Sequence, residues 1–399
     1  MQYRKFGKLD WKVSALGFGA MRLPVINNEQ GKINEEEAIK MIRYALDNGV
    51  NYIDSAYMYH MGQSEIVVGK ALKDGYRQKV HVATKLPARM IEKAEDFDRI
   101  LGEQVKKLDV GKIDFYLLHG LDKTGWAKVR DFGVLKWAEK QMAKGLIGRL
   151  GFSFHDEYSV FKDIIDSYDN WVLAQIQYNY MDTNHQAGRK GVEYAASKGI
   201  ALVVMEPLRG GKLSKEPTPK PVAAVIDKAP RKMKAVEWAL QWVWNQPEIS
   251  VALSGMSTME QVVQNCQIAD RSKVGLFKQA DLKVINDIKE AYKSLSPIPC
   301  TQCQYCQPCP NNVEIPHVFS IYNESVMYDD VKGGQFMYNA PFGIDQSHRA
   351  DKCTECGECL PKCPQKIQIP EQLKIAHAAM YLKNPPPPPG TPPPKKKEE

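Results

Sequence analysis

A chain of 399 residues that is 43% hydrophobic can bury a large core and has room for two domains. Its formal charge of +7 arises from 54 basic residues interleaved with 47 acidic ones, so no basic stripe marks a nucleic-acid surface. The opening MQYRKFGKLD lacks the apolar stretch of a secretory leader, and no apolar run approaches the roughly 20 residues that span a bilayer, so a cytoplasmic protein with neither nucleic acid nor membrane as partner is expected.

Residues 1–285 alternate short apolar runs with longer amphipathic stretches, the pattern of βα units around a parallel sheet. The apolar runs predict eight strands, at 14–20, 50–53, 80–84, 113–118, 147–153, 171–177, 200–205 and 249–253. Between them, EEEAIKMIRYALDNG (35–49) opens on acids and closes on Gly49, as a helix does, and KAVEWALQWVWNQ (234–246) carries helical periodicity. Eight strands with intervening helices in about 250 residues predict an α/β fold of the (β/α)8 TIM-barrel type. A doubly wound sheet fits less well, because Gly17-Phe18-Gly19 is followed by Arg22 where a dinucleotide fingerprint carries its third glycine.

A barrel of this kind holds its reactive groups at the C-terminal ends of the strands. Asp54 follows the run 50–53, Lys85 follows 80–84 and His119 follows 113–118, so three successive strands end in an ionisable side chain. A helix cap, a solvated loop charge or a satisfied buried imidazole would account for each alone; their joint occurrence predicts a catalytic cluster.

Beyond residue 285 the composition changes, and eight of the nine cysteines crowd into two clusters. Cys353, Cys356 and Cys359 followed by Cys363-Pro364 match the C-x2-C-x2-C-x3-C-P run of bacterial 4Fe-4S ligation, and Cys300, Cys303 and Cys306 followed by Cys309-Pro310 fall one residue short of it. Three thiolates spaced along a short loop can each meet one iron of a cube, while the cysteine before the proline serves the other cluster. One cube is therefore assigned to Cys300, Cys303, Cys306 and Cys363, the second to Cys353, Cys356, Cys359 and Cys309. Disulfides are disfavoured by the single cysteine in the long stretch before the clusters, and zinc would leave the third cysteine of each triplet without a role. Residues 286–383 are read as a small, mainly helical ferredoxin-like domain, with a helix over HVFSIYNESVMYDD (317–330) whose His317 belongs to the helix start and not to a ligand set. The Pro-rich stretch 384–399 has almost nothing to bury and is expected to be disordered. Cys266, in VVQNCQIAD, is read as a packed small hydrophobe.

The stretch NYIDSAYMYHMGQSEIVVGKAL, then ATKLP, then DFYLLHG resembles the aldo-keto reductase family, and the resemblance covers about residues 1–285. It implies a catalytic tetrad of Asp54, Tyr59, Lys85 and His119 and selects Tyr59 over its neighbour Tyr57 as the acid. A phenol with a pKa near 10 is a sluggish acid at neutral pH, and a nearby ammonium held by a carboxylate improves it. The resemblance also implies NADP(H) or NAD(H) across the barrel top, with Ser153 and Gln175 at the nicotinamide amide. Glu206, Pro207, Leu208, Arg209, Gly210 and Lys212 then cover the pyrophosphate, and Gly255, Ser257, Gln261 and Asn265 lie in the adenosine-phosphate segment. Many NADPH-preferring relatives carry a lysine and an arginine where this chain has Gly255 and Gln261. Together with the cysteine clusters, the pattern resembles the branch of the family that carries a C-terminal two-cluster ferredoxin-like domain. The expected activity is an NAD(P)H-linked oxidoreductase acting on a small aldehyde or ketone. Its two 4Fe-4S clusters would exchange electrons with a ferredoxin, another carrier or the substrate. A reductase with purely structural clusters, and an electron carrier or redox sensor with a nucleotide-binding barrel and no substrate turnover, are the alternatives. Substrate choice is expected to lie in loops such as 120–133, where Trp126 lines the pocket or packs the loop.

Overall fold

The computed structural model describes residues 1–340 and 343–383, so the expectation of a disordered 384–399 tail lies outside the described residues. The chain divides into two compact units, one of residues 1–218 with 230–282 and the other of 219–229 with 283 onward.

The first unit is a closed barrel of eight parallel strands. These are β3 (Leu16–Gly19), β4 (Tyr52–Asp54), β5 (His81–Pro87), β6 (Ile113–Leu121), β7 (Ile147–Phe154), β8 (Leu173–Gln177), β9 (Ala201–Met205) and β10 (Ile249–Ser254). Closure comes from β10 pairing with β3 through Ala252 with Leu16 and Ser254 with Phe18, which rules out the open doubly wound sheet. Side chains alternate across each strand. Tyr52, Ala83, Phe115, Leu117, Leu173, Ala201, Val203 and Val251 form one buried cluster, and Leu118, Phe152, Ile176 and Val204 belong to the larger one that includes the surrounding helices. Helix Glu35–Asp47 starts where expected, because Asn34 accepts the Glu37 amide and three glutamates fill the first turn.

Two features depart from the sequence expectations. An antiparallel hairpin, β1 (Tyr3–Phe6) and β2 (Leu9–Ser14), precedes the barrel and sends Phe6 and Val13 into the Tyr52 cluster. Its turn uses Gly7 at φ +55, where a Cβ would stand 2.5 Å from the Gly199 carbonyl oxygen. The segment 120–133 holds a helix, Lys123–Asp131, whose first amides are capped by Asp122. Trp126 on that helix is 5% exposed and packs edge-on against Trp171 at 6.2 Å, so it packs the loop and does not line a pocket.

The second unit is mainly helical, with helices Ile315–Met327, Val331–Asn339 and Ile369–Met380 around Val313, Phe319, Tyr338, Leu373 and Met380. Cys309-Pro310 and Cys363-Pro364 are each followed, at the same interval, by an Ile-Pro pair that opens a helix. Proline suits that first turn because its missing N–H has no intrahelical acceptor there. His317 Nδ1 lies 3.0 Å from a carboxylate oxygen of Glu314 at the start of the first of these helices. Among the described residues no helix is long and apolar enough to cross a membrane.

Candidate active site and cysteine-lined cavities

The strand ends bring the four predicted residues to one face. Asp54 closes β4, and Lys85 and His119 sit inside β5 and β6, each of which runs three residues further than the apolar runs suggested. The register pairs Asp54 with Ala83 and Lys85 with Leu117. Tyr59 opens the turn that follows β4.

The Lys85 ammonium donates to Asp54, to the Ser55 carbonyl at 2.8 Å and to the Tyr59 hydroxyl at 3.2 Å. It also lies 4.7 Å from the Tyr59 ring centre. Asp54 takes a second hydrogen bond, from the Gln175 amide at 3.0 Å. Lys85 and Asp54 are fully buried, whereas Tyr59 and His119 are half-buried, with their rings edge-on at 5.9 Å. Burial works against the Lys85 charge, but Asp54 and Tyr59 outweigh it and hold the ammonium above its usual pKa. Burial raises the Tyr59 phenol, and the Lys85 charge opposes that rise. His119 is pushed well below the ordinary histidine range by burial and by the charge of Lys85, so it stays neutral and available for hydrogen bonding. Tyr57 points elsewhere, donating to Glu103 with the Lys107 ammonium 4.2 Å from its ring centre. The arrangement suits an acid whose departing proton leaves a phenolate beside a fixed cation.

The residues expected around a nucleotide are held by their own bonds. Ser153 accepts the Gly120 amide at 2.8 Å, and Gln175 commits its amide nitrogen to Asp54. Arg209 pairs with Asp182 at 2.8 Å, so it is not a solvated loop charge. In the loop from Glu206 through Pro207 and Leu208 to Lys212, Gly210 and Gly211 adopt φ +68 and +96, and a Cβ on Gly211 would meet nothing within 4 Å. At Gly255 a Cβ would meet the stem of Arg22 at 3.3 Å. Ser257 donates to the Arg22 carbonyl, while Gln261 accepts the Ser257 amide, both at 2.8 Å. Gln261 is therefore a helix-start cap, a role its N3 position beyond Thr258 would have signalled. Asn265 is buried, donates to Ser254 at 3.1 Å, and leaves its Oδ1 without a donor among the described residues. An open glycine cradle and an orphaned buried acceptor fit a nucleotide. Cys266 is buried, and burial pushes its thiol up to about 11, as for a packed side chain.

In the second unit the cysteines line two cavities. One is bordered by Cys309, Cys353, Cys356 and Cys359 with Pro370 and Leu373, the other by Cys300, Cys303 and Cys363 with Phe319 and Ile369; Cys306 borders both. Burial raises the Cys359 thiol, with Cys353, Cys356 and Cys309 adding to the rise. Burial likewise raises Cys300, with Cys303 and Cys363 adding. Among the described residues no three His, Cys, Asp or Glu side chains gather closely enough to hold a single metal ion. Sulfurs set around an apolar-walled space fit a larger inorganic core.

Residues 15–290 match the aldo/keto reductase family, and residues 299–367 match the 4Fe-4S dicluster domain. The probable aldo-keto reductase 1 of Glycine max is 28% identical over 65% of this chain and 82% of its own. The L-galactose dehydrogenase of Arabidopsis thaliana is 26% identical over 74% of this chain and 97% of its own. Among solved structures, the holo form of an aldo-keto reductase from Bacillus halodurans superposes with a TM-score of 0.60 at 25% identity, covering 73% of this chain and 97% of its own.

Proposed function

Because this chain belongs to the aldo/keto reductase family and carries a 4Fe-4S dicluster domain, we propose that it is an NAD(P)H-linked oxidoreductase of a small aldehyde or ketone whose two cubes exchange electrons with a ferredoxin-type carrier or the substrate. The observation that carries this reading is the 3.2 Å hydrogen bond from the Lys85 ammonium to the Tyr59 hydroxyl, with Asp54 behind it.

When bound, the reduced nicotinamide supplies a hydride to the carbonyl carbon. Tyr59 gives the alkoxide its proton, Lys85 stabilises the phenolate left behind, and solvent restores the phenol. Neutral His119 donates a hydrogen bond that orients the carbonyl oxygen. Asp54, fixed by Gln175, keeps Lys85 cationic. Ser153, the 206–212 loop, Gly255, Ser257 and Asn265 hold the nucleotide, and the eight clustered cysteines hold the two cubes. A hydride delivers both of its electrons to the carbonyl carbon, so the one-electron traffic of the cubes is with the ferredoxin-type carrier or the substrate.

Tyr59→Phe tests the reading. Loss of carbonyl reduction by at least about 100-fold with nucleotide binding intact is expected, since an acid at this position contributes on that order. Unchanged turnover overturns it. Cluster signals that appear in anaerobic EPR on adding NAD(P)H support electron exchange, and clusters that stay silent with every nucleotide and substrate remove that part.

A further inference from the structure

Behind Lys85, on the side of β5 away from the reaction centre, lies a buried carboxylate that the chemistry above does not use. Glu65 is fully buried in the first turn of helix Ser64–Ala71. Its Oε1 accepts from the Thr84 hydroxyl at 2.6 Å and the Gln104 amide at 2.7 Å. The same Gln104 nitrogen reaches the Lys85 carbonyl at 3.0 Å, and the Tyr116 hydroxyl donates to the Gln104 oxygen at 2.7 Å. Glu65 Oε2 has no hydrogen-bond donor among the described residues, and the Lys107 ammonium stands 3.7 Å away. The preceding Ser64 donates to the Ala20 carbonyl at 2.8 Å and lies 2.9 Å from the Ser55 hydroxyl, and the Ser55 carbonyl in turn accepts a hydrogen bond from Lys85. One helix start thus grips β5 beside Lys85 and the turn that accepts from Lys85, five residues after Tyr59.

We infer that Glu65 is a positioning residue for the proton-donating pair: as a buried anion braced by Thr84 and Gln104, it fixes the β5 backbone at Lys85 and helps keep that side chain cationic beside Tyr59. A fully bonded neutral amide would brace the strand as well as a carboxylate. What the carboxylate adds is charge, and a charge left with one oxygen unbonded costs stability unless something nearby gains from it. The cations facing it are Lys85 from β5 and Lys107 from helix Glu95–Leu108. Lys85 in turn faces Asp54, Tyr59 and His119. Burial raises the Glu65 carboxyl, and the bonds from Thr84 and Gln104 and the two lysines oppose the rise.

This inference rests on the Tyr59 and Lys85 chemistry proposed above, and its test separates the two. The pH dependence of kcat/KM is measured with NADPH and 4-nitrobenzaldehyde for the holoprotein, Glu65→Gln and Lys107→Met. Glu65→Gln keeps an acceptor for Thr84 and Gln104 but removes the charge, so the alkaline limb should move to lower pH as Lys85 loses its proton earlier. Lys107→Met removes the half-buried cation that stands 3.7 Å from Glu65 and over the Tyr57 ring, and should lift the acid limb, because Glu65 then takes up a proton at higher pH. Nucleotide affinity should not change in either. A parent-like profile in Lys107→Met, and in Glu65→Gln if it folds, overturns the inference while leaving the tetrad reading intact. A parent protein that reduces no carbonyl overturns the tetrad reading itself.

Discussion

Lys85 spends all three of its ammonium protons inside the fold, on Asp54, on the Ser55 carbonyl and on the Tyr59 hydroxyl. Nothing of the lysine is left to wander, so the phenol meets a cation of fixed position.

The first consequence concerns Asp54→Asn. The substitution keeps shape but removes the anion that compensates a fully buried lysine, and it sets its NH2 against one of the two donors, Lys85 or Gln175, while its oxygen serves the other. Removing one member of a buried pair costs about 3–5 kcal/mol. Urea unfolding should show a loss of that order, and carbonyl turnover should fall with it.

The histidine beside the phenol makes a statement about pH. Its pKa is depressed by burial and by Lys85, so as pH drops below about 6.5 the unfolded chain binds a proton that the folded chain refuses. Folding stability therefore falls with acidification through that window. His60, His81, His155 and His377 are depressed in the same direction and add to the slope. His119→Gln should unfold with a shallower dependence between pH 7.5 and 5.5 than the parent, in paired denaturant titrations.

The cysteine cavities predict a pattern of metal loss. Cys309 lines the cavity of Cys353, Cys356 and Cys359, and Cys363 lines the cavity of Cys300 and Cys303. Cys309→Ser and Cys363→Ser should each lower the iron and sulfide content of anaerobically purified protein by about half. Their residual EPR signals should differ from each other.

Packing gives the last test. In helix Ser64–Ala71 a Cβ on Gly69 would stand 2.2 Å from the Leu108 carbonyl oxygen, an approach only glycine permits. Gly69→Ala should cost roughly 1–3 kcal/mol through backbone displacement. Because the same helix start carries Ser64 and Glu65, calorimetry and turnover should decline together.

The tetrad was legible in the sequence because strand ends and a family motif pointed to the same positions, and the interlocked cysteines because their spacing has few other uses. Lys85 and His119 lie inside strands since the apolar runs broke at them, and only buried partners let a charged lysine continue a core strand. The N-terminal hairpin escaped notice because DWKV, in β2, has only half of its side chains facing the barrel. Glu65 and Gln104 escaped because each reads as an ordinary polar residue on an amphipathic helix; burial and bonding to β5 are tertiary facts with no local signal. Gln261, expected at the nucleotide, also stands at the helix-cap spacing from Thr258, a second reading its sequence position carries.

The crossed cavities also bear on how the protein comes into being. A ribosome that has translated as far as Leu360 has delivered Cys300, Cys303 and Cys306 but not Cys363, so the earlier cavity still lacks one wall while the later one has its four sulfurs. The later cavity, however, takes Pro370 and Leu373 of helix Ile369–Met380 as part of its wall, so a messenger cut short before Cys363 would leave both cavities open, and the two are completed together only as the last helix is made.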